Sequence, residues 1–508
     1  MTWKQKLLAA AILAGMAVVQ FYTASLENDT FDEGAHIAAG MSYWATGDYR
    51  LNLEHPPLAK LLFVIPLMAA GLRFDTANPH WTQPDQVALG RDFLYRSRLS
   101  ADTILSLARS VTIAFTVLLG AAIAWWTTRR YGANAALFAL AVFALDPTVI
   151  AHGRYATTDI PVACLSFLSV IAWIEWLESG RPRWLAAAAL LFALAAVTKF
   201  SALYALPVHA ATAILRREFR KGALGLAAIA AVTAFVASAA YGPAGLAAQG
   251  PENFPPGHPY LTGLRTLREH NEAGHSAYLL GSLVQGGRWQ YFPIAFALKT
   301  PLATLALIAM AIATGRRIPG AWMLLAYPAA YFAISMASNI NIGVRHLLPV
   351  SPFLFVTIGA TFAIARPYLR YVAFAALAAI AMENARVFPD YLAFFNAAAG
   401  GKDAGPRYLL DSNLDWGQDV KKLARYLEAN HVDRASVALF TNAPPAYYGI
   451  RAMDLPVIPA ELPATKGWIA ISVTELHDVY RPTQPRYTWL RTQRPTARIG
   501  GSIYVFRK

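Results

Sequence analysis

Long apolar runs, broken by short polar connections that carry arginine and lysine, dominate the first 390 positions of the chain. Eleven such stretches fall near 7–25, 103–127, 134–151, 160–178, 184–197, 201–215, 222–241, 292–314, 321–337, 347–365 and 371–387. Several approach the roughly 20 residues that carry a helix across a ~30 Å hydrocarbon core, and the shorter ones at 134–151, 184–197 and 201–215 suit tilted or half-buried helices. The pattern predicts an α-helical polytopic membrane protein with about 11 transmembrane helices. The first stretch follows Lys4 and Lys6, as a signal peptide would. No small-residue cleavage site precedes the acidic run from Glu27, so it reads as an uncleaved anchor.

The tail differs. Past residue 388 the long apolar runs stop and turn clusters appear, at Gly400-Gly401-Lys402-Asp403 and Asn442-Ala443-Pro444-Pro445. A helical pattern at 417–430 precedes β-rich runs at 435–440, 467–473 and 497–506. The chain therefore divides into a membrane domain, 1–387, and a small C-terminal α/β domain, 388–508.

Lys4/Lys6, Arg129/Arg130, Arg181/Arg183, Arg216/Arg217/Arg220/Lys221, Arg316/Arg317 and Arg366/Arg370 occupy alternate connections, which the positive-inside rule makes cytoplasmic. The amino terminus is then inside, and three long segments, the loops 26–101 and 242–291 and the tail, face the extracytoplasmic side of the inner (plasma) membrane. Only 15% of the residues are charged and 56% are hydrophobic, with mean hydropathy +0.37, which sets aside a disordered chain. The net charge of +14 is mostly a topology signal, because those six connections hold 14 of the basic residues against Glu178 and Glu218. It requires no nucleic-acid partner. Cys164, the single cysteine, builds neither a disulfide framework nor a thiolate metal cluster.

Chemistry-bearing residues gather at outer ends of the apolar runs. Asp32 and Glu33, in Phe31-Asp32-Glu33-Gly34-Ala35-His36, stand at the first turn of a helix-like run; one acid there caps a helix, whereas an adjacent pair beside His36 points to chemistry. Two prolines in Glu54-His55-Pro56-Pro57-Leu58-Ala59-Lys60 stiffen a turn that either dips into the interface or aims Glu54 and His55 at a cavity. Asp159 enters the fourth run at its outer end, a position that marks a function and demands a partner; Arg154 is either an ion-pair partner or part of the site. Lys199, Lys299 and Arg345-His346 supply cations at headgroup depth, which suits a lipid phosphate, although Lys199 alone also fits simple snorkelling. Walker, dinucleotide-binding, His-Glu-x-x-His and nucleophile-elbow motifs are absent. In the tail, Leu410-Asp411-Ser412-Asn413-Leu414-Asp415-Trp416-Gly417-Gln418-Asp419 leaves two roles open: acceptor binding, or capping of the 417–430 helix by Asp415.

The ordered set of Phe31 to His36, Glu54 to Lys60, His152 to Pro161, Thr198-Lys199-Phe200 and Val344-Arg345-His346-Leu347-Leu348-Pro349 resembles the C-type (GT-C) membrane glycosyltransferases, in the branch of the protein O-mannosyltransferases and the bacterial lipid A aminoarabinose transferases. The tail motif resembles a bacterial subgroup of these polyprenyl-phosphate-dependent enzymes. The resemblance implies a GT-C-like fold and a hexosyl- or pentosyltransferase, mannosyltransferase-like, that takes its sugar from a polyprenyl-phosphate-linked donor among membrane lipids. The acceptor is a glycan, lipid or protein hydroxyl on the extracytoplasmic face, and neither metal nor cofactor is implied. An acceptor hydroxyl is a poor nucleophile and needs a carboxylate base, assigned to Asp32 with Glu33 beside it; direct displacement implies inversion. A phosphate leaving group needs fixed cations, assigned to Lys199 and Arg345 with His346 and His55 as helpers. Glu54, Asp159 and Arg154 then position acceptor or sugar hydroxyls. The alternative class is a transporter or flippase for a lipid-linked or anionic substrate, whose usual mark, two halves of matching hydropathy, is not seen.

Overall fold

The computed structural model describes residues 1–246, 258–455, 467–481 and 483–507. The expected outer loop 242–291 thus lies partly outside the described residues, at 247–257, as does 456–466 of the tail. All eleven apolar stretches are helical over most of their length. Five helices are long and apolar enough to cross a membrane alone: α1 (Trp3–Ser25), α3 (Ala101–Tyr131), α4 (Asp159–Ser179), α5 (Phe219–Gly242) and α8 (Val344–Ile364, whose first turns are 3-10). The label α2 is kept for Glu33–Thr46, in the long loop 26–101 between α1 and α3. A sixth span is formed if α6 (Tyr291–Lys299) and α7 (Leu302–Thr314) count as one, but they are bent by 115° at the intervening Thr300-Pro301. The chain is a multi-pass membrane protein.

The expected eleven spans are therefore not reached by length and composition among the described residues. The breaks have identifiable causes. The run at 134–151 stops at Leu145, where Asp146 accepts from Val149 N at 2.9 Å and starts a new short helix at Pro147. The runs at 184–197 and 201–215 are separated by Thr198 and the extended Lys199, and the second opens as a 3-10 turn. Helix Pro367–Val387 has the length but carries Arg370, Glu383 and Arg386.

Helix α4 is the hub: 94% of its apolar window is buried, against 22% for α1 and 17% for α5, which face outward. It packs most extensively against Pro182–Ala196. In the loop 26–101, α2 lies against helix Gln86–Tyr95 through facing glycines, and a Cβ on Gly90 would come within 2.5 Å of the Gly34 backbone. That close approach fixes the start of α2, and with it Asp32.

A hairpin of β1 (Ser276–Leu279) and β2 (Ser282–Gln285) precedes the tail. The tail folds as a mixed five-stranded sheet of β3 (Ala435–Ala438), β4 (Ala452–Asp454), β5 (Trp468–Ser472), β6 (Ala497–Ile499) and β7 (Ile503–Arg507) in the order β4-β3-β5-β7-β6. Strands β4, β3 and β5 run parallel, and β7 is antiparallel to β5 and β6. Helix α9 (Val420–Ala429) lays Val420, Leu423 and Leu427 on that sheet.

The cap of α9 corrects an expectation. Asp415 does not cap it; its Oδ2 accepts from Thr474 N at 2.9 Å. The cap comes from the loop 26–101 instead: Asn28 Oδ1 accepts from Val420 N at 2.8 Å, and Asn28 Nδ2 donates to the Gly417 carbonyl at 2.7 Å. The half-buried Lys422 strengthens the same junction through Glu27, Asp390 and Asp419 at 3.3, 2.8 and 2.7 Å.

Candidate functional site

Three helix ends and one loop converge on a cluster of alternating charge. Asp159 opens α4, Lys199 stands in the extended break after Pro182–Ala196, Arg345 lies in the first turn of α8, and Asp32 stands at the start of α2. Lys199 Nζ meets Asp159 Oδ1 at 2.5 Å. Arg345 Nη1 lies 3.3 Å from Asp159 Oδ2 and 3.1 Å from Asp32 Oδ2. The guanidinium also rests on the Trp416 ring, with its carbon 4.2 Å from the ring centre. Its Nη2 has no hydrogen-bond partner among the described residues.

Exposure differs usefully across this cluster. The side chains of Arg345 and Asp159 are 6% and 2% exposed, while Lys199 and Asp32 keep 12% and 24%. The cluster thus has a closed floor and an open rim, with a carboxylate and an ammonium on the rim. Asp32 occupies the N-cap position of α2 but makes no capping hydrogen bond, so its carboxylate is not used to hold the helix.

Two histidines pack beside the cluster, His36 and His55, with ring centres 5.4 Å apart. Burial holds the His36 imidazole below its ordinary pKa, and Asp32 offsets only part of that. Burial likewise holds His55 well below its ordinary range, and Lys199, His36 and Lys60 lower it further. At neutral pH both are uncharged, so His36 and His55 offer neutral hydrogen-bonding groups to the cluster and not charges. The loop that carries His55 is gathered by the buried Lys60, whose Nζ donates to the His55 and Asn52 carbonyls at 2.6 and 2.9 Å and to Tyr43 Oη at 2.9 Å. His346 is half-buried and stacks on Phe292, with ring centres 6.2 Å apart.

Several residues expected in the site are turned elsewhere. Glu33 points away from Asp32 and is buried in an ion pair: Arg109 Nη2 and Nε donate to it at 2.7 and 2.8 Å, as do Ala156 N and Thr30 N at 2.8 Å each. Burial opposes its charge, but Arg109 outweighs this and holds the carboxyl below its ordinary pKa. Arg154 is equally buried and is committed to Glu27 at 2.8 Å and Thr23 Oγ1 at 2.7 Å. Glu54 is partly exposed and accepts from His270 Nδ1 at 3.0 Å. Lys299, grouped with the cations by its place in the sequence, donates to the Leu392 and Asn413 carbonyls at 2.8 and 2.6 Å and ties α6 to the tail. Among the described residues, no group of three or more His, Cys, Asp or Glu is placed to hold a metal ion.

Two contributions escaped sequence reasoning. Arg109 lies inside the apolar run at 103–127, and a charge there was the available signal. The tail reaches the site through Ser412, which accepts from Arg345 Nε at 3.2 Å, and through Trp416. Nearby, burial pushes the Asp411 carboxyl up to about 7, and burial raises Asp415 to about 7 as well. A carboxyl with a raised folded pKa contributes stability that is fully present below its unfolded pKa, near 4, and is lost as pH rises through the folded value. Asp411 and Asp415 should therefore make the thermal midpoint fall between about pH 4 and pH 7 and level off above that. Asp415→Asn should flatten that slope in a pH series of thermal unfolding; an unchanged slope would show that Asp415 stays charged in the folded protein.

Comparison with known proteins bears out the resemblance carried by the motifs. Residues 100–241 match the family model described as dolichyl-phosphate-mannose-protein mannosyltransferase. The structure is similar to ArnT from Cupriavidus metallidurans bound to undecaprenyl phosphate, at TM-score 0.53 and 15% identity, covering 98% of this chain and 97% of that one. The apo state of the same protein matches at TM-score 0.54, with the same identity and coverage. The Saccharomyces cerevisiae protein O-mannosyltransferase Pmt1-Pmt2 complex bound to the sugar donor matches over 46% of this chain and 32% of that one, at 22% identity and TM-score 0.36. A search of the curated proteins gives no match. This chain has the fold of ArnT.

Proposed function

We propose that the protein is a glycosyltransferase that moves a sugar from a polyprenyl-phosphate-linked donor to an acceptor hydroxyl on the extracytoplasmic face of the plasma membrane. The observation that carries this reading is the Arg345 guanidinium, whose Nη2 has no hydrogen-bond partner among the described residues, in one ion-pair cluster with the partly exposed Asp32 and Lys199. The family match at 100–241, which includes Asp159, supports the same chemistry, and so does a fold shared with a protein that binds undecaprenyl phosphate.

In this reading Arg345 and Lys199 hold the donor phosphate, with the His55 N–H and His346 beside them. Asp159 holds the two cations in place and keeps the buried floor near neutrality. Asp32 accepts the acceptor's hydroxyl proton as the hydroxyl oxygen attacks the sugar's anomeric carbon. The bond from that carbon to the phosphate oxygen breaks, the carrier phosphate leaves with the electron pair, and the anomeric centre inverts. Charge on the leaving phosphate grows beside two fixed cations, where little solvent has to reorganise. Glu33 and Arg154 build the scaffold, and Glu54, on the rim with His270, faces the acceptor. The loops 26–101 and 242–291 and the tail then lie outside the cytoplasm, and residues 388–508 act as one domain over the site.

Arg345→Ala and Lys199→Ala should each raise the donor KM by about tenfold or more, the loss expected when a hydrogen bond to a charged group disappears. Steady-state transfer from a polyprenyl-phosphate-linked sugar measures this, and an unchanged donor KM in both variants would remove the phosphate assignment.

A further inference from the structure

Arg345 is held from below by the membrane helices and from above by the tail. Ser412 Oγ accepts from Arg345 Nε at 3.2 Å and donates to the Ile342 carbonyl at 2.6 Å, so one hydroxyl ties both the side chain and the turn that bears it. Asn413 Oδ1 accepts from Val344 N at 2.9 Å, and Asn413 Nδ2 donates to Tyr291 Oη at 2.8 Å and the Leu410 carbonyl at 3.0 Å. Trp416 lies against the guanidinium face and is itself boxed by His152 and Tyr155, with ring centres 5.9 and 5.8 Å away. All three tail side chains are buried. The approach is tight: a Cβ on Gly343 would come within 2.2 Å of Ser412 Oγ, so a glycine is needed for the turn to reach the tail.

We infer that Ser412, Asn413 and Trp416 are positioning residues for Arg345, so that the tail completes the donor-phosphate site instead of merely covering it. The inference rests on the donor-phosphate reading above. Its physical basis is the competition for the guanidinium. Asp32 and Asp159 both draw Arg345 toward themselves, and a free fork would turn to give them both of its terminal nitrogens. Anchoring Nε on Ser412 and the face on Trp416 restricts that rotation. Nη1 is then shared between the carboxylates and Nη2 stays available for an anion. A bound ligand meets a fork already ordered, so less conformational freedom is lost on binding.

The test uses the full-length protein in lipid nanodiscs, with undecaprenyl phosphate as the probe and its Kd read by native mass spectrometry. Ser412→Ala should weaken binding about tenfold, as expected for losing a hydrogen bond to a charged group, with an unfolding midpoint near the wild type's. Ser412→Thr, which keeps the hydroxyl, should bind within about twofold of the wild type. Trp416→Leu should weaken binding about fivefold through the lost cation–π contact. If Arg345→Ala abolishes binding but Ser412→Ala binds like the wild type, the positioning role is overturned and the donor-phosphate reading survives. Equal weakening by Ser412→Thr and Ser412→Ala would also overturn it, since the hydroxyl would then not be the active feature. If the wild type fails to bind, or Arg345→Ala binds as well as the wild type, the donor-phosphate reading falls and takes this inference with it.

Discussion

Replacing Asp32 by Asn is expected to lower kcat for sugar transfer about 1,000-fold and to leave the thermal midpoint of the purified protein close to the wild type's. The size follows from the role, since a positioned general base typically contributes 10²- to 10⁴-fold. The intact fold follows from the surroundings of the side chain. Its carboxylate makes no helix cap, keeps 24% exposure, and pairs only with Arg345 among the described residues. Arg345 retains Asp159, Ser412 and Trp416 when that charge is removed. Donor binding should survive or improve, because one competitor for the guanidinium is gone. Full transfer by Asp32→Asn would remove Asp32 as the base.

The neighbouring residue should behave in the opposite way. Glu33→Ala leaves Arg109 charged and buried, at 2% side-chain exposure, without its ion-pair partner and held by the carbonyls of Ala24, Glu27 and Asn28 and the Tyr155 ring. Breaking a buried pair from one side costs about 3–5 kcal/mol, enough to consume much of a typical protein's stability. The expected result is a large drop in folded yield and thermal midpoint in detergent. Any protein that still folds should bind undecaprenyl phosphate, because Glu33 does not touch the Arg345 cluster. A variant with normal stability and abolished transfer would instead move Glu33 into the chemistry.

This contrast marks where sequence reading stopped. Asp32, Asp159, Lys199 and Arg345 were legible because each stands near the end of an apolar run, where a charge needs a reason. That Asp32 and Glu33 do different work was not legible, since consecutive helical positions diverge by about 100° and only the packing around them shows which points where. Lys299 had the same sequence credentials as Lys199, yet its donors are taken by two backbone carbonyls, one of them 114 residues away. The eleven expected spans are not all recovered by length and composition among the described residues for a related reason: hydropathy registers composition, while the breaks at Asp146-Pro147, Thr198-Lys199 and Thr300-Pro301 come from capping, extended backbone and a proline bend. The helix cap supplied by Asn28 acts across 392 residues and leaves no local signal beside α9. Arg109 was visible as a charge in an apolar run, but its partner was not.

A site that consumes a polyprenyl-phosphate-linked sugar leaves a trace in the lipid-linked sugar pool of the cell. That trace is tested most directly by mass spectrometry of the polyprenyl-phosphate-linked sugars and cell-envelope glycans of cells expressing either the wild type or Asp32→Asn. The account predicts that with Asp32→Asn one lipid-linked sugar accumulates and the same sugar mass disappears from one envelope glycan, glycolipid or glycoprotein. Identical lipid-linked sugars and identical envelope glycans in the two strains, with both proteins present at equal levels in the membrane, would contradict it.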